Sequence, residues 1–136
     1  MDLADPSNHD RLMNSLTWPT LLRIAREETG RLFAALPAPI RARALALPVV
    51  FEPRPSPGLV SDGLDRDLLG LFVGGDFTDA GHDPIPAEIF LFLSNILDEA
   101  EGDERKYRKE VRKTLLHELG HYLGLDEDEL WERGLE

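Results

Sequence analysis

The stretch His117-Glu118-Leu119-Gly120-His121-Tyr122-Leu123-Gly124-Leu125-Asp126-Glu127 decides how this chain is read. It contains H-E-x-x-H. On a helix the four-residue spacing stacks the two imidazoles on one face, one turn apart. Two stacked imidazoles can grip one metal ion from the same side. Glu118 stands about 100° further round the helix, close enough to reach a water on that ion. Two ligands, a carboxylate base and an ion that acidifies water are the minimum needed for metal-assisted hydrolysis. The plainer alternative is a pair of surface histidines at the acidic end of a helix.

The helical wheel separates two faces. With His117 at zero, His121 lies at about 40°, whereas Leu115, Leu116, Leu119, Tyr122 and Leu123 fall between about 140° and 260°. The aliphatic side anchors the helix in the core and leaves the histidines facing a cleft. Gly124 stands where a left-handed residue ends the helix. Leu125 then dips into the core as the hydrophobic contact of that cap, which leaves Asp126 and Glu127 near the cleft mouth.

Outward from this stretch, 136 residues make one domain with a modest core. There is no cysteine, so any metal must be held by His, Asp or Glu. No apolar run is long enough to span a bilayer. The start, MDLADPSNHD, has neither a basic nor an apolar leader region, and the expected compartment is the cytoplasm. A net charge of −11 argues against nucleic acid as a partner, because phosphates are held by cations. All three lysines lie in the run Glu104 to Lys113, which reads as the solvated face of a long helix with Tyr107 and Val111 inside.

Residues 1–16 read as a polar lead-in and 17–136 as the domain. Thr17 caps a helix with Pro19 in its first turn, and Leu21, Leu22, Ala25, Thr29, Leu32, Phe33 and Leu36 keep helical spacing. Pro37 and Pro39 end it, and a shorter helix covers Ile40 to Leu45. Val49 to Glu52, Leu68 to Val73 and Glu88 to Leu93 read as strands. Gly70 lies inside the second, and 74–87 is a loop. Ser94 to Ala100 is a helical turn, and Asp103 caps the helix that carries the histidines.

The segments Leu69-Gly70-Leu71-Phe72-Val73-Gly74 and Ile89-Phe90-Leu91-Phe92, with the block His117 to Leu130, resemble the minimal zincin-like family of small bacterial zinc metallopeptidases. The resemblance runs from about Trp18 to the end. It implies an α+β fold, with a small mixed or antiparallel sheet packed on the motif helix and an N-terminal helix. It implies zinc as cofactor and a peptide or protein substrate. It also implies that the strand at 88–93 borders the cleft, where a substrate backbone can pair with a sheet edge. The chain departs from the larger metzincins, which put a third histidine ten residues after the first and need a methionine turn downstream. Glu127 occupies that third-ligand slot, and the only methionines are Met1 and Met13. Thermolysin-like enzymes take their third ligand from a later helix, for which little chain remains. The expected metal ligands are therefore His117, His121 and Glu127. Asp126 is the alternative if the turn has one residue of slack, and a site with only two protein ligands is the plainest case.

His82, in Gly81-His82-Asp83-Pro84, is a candidate cleft residue, though a loop histidine beside prolines is more often simply exposed. Tyr122 points to the core by its wheel position, and Trp18 and Trp131 read as packing. Two functions follow. One is a zinc-dependent peptidase with Glu118 as general base. The other is a metal-binding module of the same fold that hydrolyses nothing and serves structure or peptide binding.

Overall fold

The computed structural model describes residues 16–74 and 86–124. The lead-in, His9, His82, Leu125, Asp126, Glu127 and Trp131 lie outside the described residues. Helix α1 spans Trp18–Ala35 and α2 spans Ala38–Ala44. Strand β1 is Val49–Glu52, helix α3 Pro57–Ser61, strand β2 Gly70–Val73 and strand β3 Glu88–Phe92. Helices α4, Leu93–Glu99, and α5, Glu104–Leu123, complete the order.

Two expectations at the first helix change. Thr17 sits at the N-cap position, but its hydroxyl caps no amide; it lies 3.2 Å from the Thr20 hydroxyl. The Thr17 carbonyl alone receives the helix, accepting from the Leu21 N–H at 2.9 Å. The buried face is Leu21, Ile24, Ala25 and Glu28, at i, i+3, i+4 and i+7. Glu28 thus takes an apolar slot, and the expected Thr29 is only half-buried. Helix α2 starts two residues before Ile40, because a proline is favoured in the first helical turn. Helix α3 was not expected among so many prolines. Ser56 makes it possible by accepting the Leu59 N–H at 3.3 Å.

The sheet has the order β1-β3-β2. β1 runs parallel to β3, from Val49 opposite Ile89 to Glu52 opposite Phe92. β2 runs antiparallel to it, from Gly70 opposite Leu91 to Val73 opposite Glu88. The architecture is the expected mixed sheet against helices. The strand at 88–92, however, is flanked on both sides and offers no edge. Among the described strands the edges are β1 and β2, and β2 is the one that lies on the motif helix. The sheet edge beside the motif helix is therefore that of β2.

The core joins Ile89 and Leu91 of β3 to Tyr107, Val111, Leu115 and Leu119 of α5, all fully buried. Each fully buried aliphatic chain of this kind contributes roughly 2 kcal/mol of transfer free energy. Tyr107 also donates its hydroxyl to the Leu21 carbonyl at 2.9 Å, tying α5 to α1 inside the core. The basic run of α5 is a solvated face, as expected, with its three lysines exposed and Tyr107 and Val111 buried inside, but two of its arginines also reach back to α1. Arg108 and Arg112 turn inward to Glu28, at 2.9 and 2.6 Å, and Arg31 adds a third contact at 3.1 Å.

Asn95 fixes the approach to β2. Its side-chain amide donates to the carbonyls of Arg66, at 2.7 Å, and Leu68, at 2.9 Å. Arg54 in turn donates to the Asn95 carbonyl oxygen and to Asp98. The register would put Leu68 opposite Leu93, where the partner strand has already become helix α4, so the strand begins at Gly70 rather than at Leu68.

Candidate metal centre

Helix α5 presents the motif because both its ends are fixed. Asp103 accepts the Lys106 N–H at 2.9 Å, which satisfies one of the open donors of the first turn. Gly124 takes the left-handed conformation, φ 71°, and closes the C-terminus as its position implied. Leu115, Leu116, Leu119 and Tyr122 are buried on the far side, with Tyr122 against Phe72 of β2. His117 and His121 are exposed.

The two histidines converge. Their rings meet edge to face, with centroids 4.9 Å apart at 88°, and their Nε2 atoms lie 3.3 Å from each other. Two nitrogens about 2.0–2.1 Å from one zinc at a tetrahedral angle stand about 3.3–3.4 Å apart. The pair thus already has the separation that a shared ion needs. In the metal-free chain the same contact serves as a hydrogen bond from one ring N–H to the lone pair of the other.

Glu118 points the other way from the solvent. It is 8% exposed and lies between α5 and β2. The backbone N–H of Phe72 donates to its carboxylate. Burial pushes its pKa above the usual carboxylate value; the nearby His117 and His121 and the Phe72 N–H pull the other way without cancelling that effect. A carboxylate with raised proton affinity, adjoining two convergent imidazoles, is suited to accept a proton from a water held between them.

The third ligand is not placed. Among the described residues no group of three His, Asp or Glu side chains gathers about a point. Glu127 and its alternative Asp126 lie outside the described residues, as does His82. No helix of the described residues is long and apolar enough to cross a membrane.

The sequence reading missed three residues that shape the site: Gly70, Phe72 and Thr114. A Cβ added at Gly70 would stand 2.7 Å from Thr114 Cγ2, 3.1 Å from Glu118 Cγ and 3.3 Å from Glu118 Oε2. The signal available was the glycine itself, since a glycine inside a strand marks a bulge or a close approach.

The profile of the zincin-like metallopeptidase family matches residues 45–135. That span takes in all three strands and the whole motif helix, and omits α1. No curated protein matches the chain.

Proposed function

Since the chain belongs to the zincin-like metallopeptidase family, we propose that it is a zinc-dependent peptidase with Glu118 as general base. The observation that carries this reading is the 3.3 Å approach of His117 Nε2 and His121 Nε2 beside a buried Glu118. His117 and His121 would hold the ion, with Glu127, or Asp126 in its place, as third ligand. When bound, zinc lowers the pKa of water to about 7 and polarises a carbonyl.

The chain's own residues do the rest. Glu118 takes the proton of the attacking water and later returns it to the leaving nitrogen of the substrate. Burial raises the carboxylate's proton affinity, which supports a role in both transfers. The Phe72 N–H holds the carboxylate toward β2. The proposed substrate is a peptide or protein, the class the metallopeptidase family supports, and the net charge of −11 disfavours phosphate backbones. A catalytically silent metal module would have no need of a buried carboxylate beside the two imidazoles.

The test is Glu118→Gln with zinc bound, assayed on a broad peptide library. This variant should keep the metal and lose about 10²- to 10⁴-fold in turnover. Undiminished turnover would remove Glu118 as base, and a wild type that cleaves no peptide would favour the binding module.

A further inference from the structure

The geometry points to Gly70 as a positioning residue. The bare strand at Gly70 and the Phe72 N–H together form a cradle that sets where the Glu118 carboxylate lies.

Phe92 donates to the Leu69 carbonyl at 2.9 Å across the β2–β3 ladder. An antiparallel ladder alternates, so the backbone groups of Leu69 and Leu71 face β3 while those of Gly70 and Phe72 face the open edge. The outward Phe72 N–H is the one that Glu118 captures. The Glu118 side chain runs directly beside residue 70. Glu118 Cγ and Oε2 lie 3.1 and 3.3 Å from where a Cβ of that residue would be, and Thr114 Cγ2 lies 2.7 Å from it. The φ of Gly70 is not in the left-handed region, so conformation does not demand glycine there. Space demands it. Asn95, through the Leu68 carbonyl, fixes the strand just ahead of this point, so the backbone at 70 cannot simply withdraw.

Thr114 must be separated from Glu118 to test this. Thr114→Ser deletes the methyl that makes the tightest contact. Gly70→Ala on that background then meets Glu118 alone. The first readout is the Phe72 amide proton in the metal-free, ¹⁵N-labelled full chain. It should lie downfield in the wild type and in T114S, as an amide bonded to a carboxylate does, and move upfield in both E118A and G70A/T114S. The second readout uses the zinc-loaded chain and a peptide substrate. Relative to T114S, G70A/T114S should lose about ten- to a hundredfold in kcat, while KM and the zinc Kd stay within about twofold.

A Phe72 amide unmoved by E118A overturns the cradle, and does so even if every residue-70 variant fails to fold. An unmoved amide, or an undiminished kcat, in a folded G70A/T114S overturns the role of Gly70. The inference rests on Glu118 being the base, but the amide readout needs no activity. A chain that hydrolyses nothing therefore fails the functional reading without failing this test.

Discussion

Arg112 Nη1 stands 2.6 Å from Glu28 Oε1, joining α1 to the motif helix five residues before His117. Glu28 is 0% exposed and also meets Arg108 and Arg31. Removing one partner from a buried ion pair leaves an uncompensated charge. The arginines that Glu28→Ala leaves behind are 22% to 69% exposed and can be resolvated, so this variant should destabilise the chain by about 1–2 kcal/mol in urea unfolding. Arg31→Ala, at the exposed end of the same cluster, should cost under about 1 kcal/mol. Equal losses in the two variants would show that burial is not what sets the cost.

The same carboxylate makes an acid-sensitive contact. Burial alone would raise the Glu28 pKa, but hydrogen bonds from Arg112 and Arg108 outweigh it and hold the group below its usual 4.5. A folded pKa below the unfolded one contributes stability that is fully present above pH 4.5 and lost as pH falls through the folded value. The stability gap between wild type and Glu28→Gln should shrink as pH drops below 4.5. Urea midpoints across that range measure it, and a constant gap would contradict the lowered pKa.

Glu118 should behave in the opposite sense. Burial raises its folded pKa above 4.5, so its contribution is present below 4.5 and lost as pH rises through the raised value. In the metal-free chain, Glu118→Gln should gain on the wild type between pH 4 and pH 8, because the amide never ionises. Parallel stability curves for the two proteins over that range would argue that the folded and unfolded values coincide.

Zinc should bind at about one ion per chain. Ligand held only by the folded state adds about 2.7 kcal/mol at a free concentration of 100 Kd. His117→Ala and His121→Ala should each abolish both the bound metal and the rise in Tm. A metal-edge map should place a Glu127 oxygen about 2.0–2.2 Å from the zinc. An Asp126 oxygen there instead, or only waters, would reassign the third ligand.

Much of this site could be read from local rules. The histidine spacing, the Asp103 cap and the Gly124 stop each depend on a few neighbouring residues, and the structure has all three. Composition marks the strands, with ends off by one or two residues where the third strand turns into helix α4 at Leu93 and leaves Leu68 without a partner. What escaped were pairings across long sequence separations. Nothing near Glu28 in sequence announces Arg108 and Arg112 eighty residues on, so helical spacing alone gives the glutamate no place on the buried face. The edge role of β2 escaped for the same reason, since strand order depends on which hairpins and crossovers form, not on any one segment's pattern.

The strand order also says something about synthesis. Among the described residues, β1 and β2 bond only to β3 and not to each other. During translation both outer strands leave the ribosome with no ladder to join, and they wait until Phe92 has emerged. The helix with the two histidines is made later still, and because the buried face of β3 packs against it, the sheet and the metal grip are completed together.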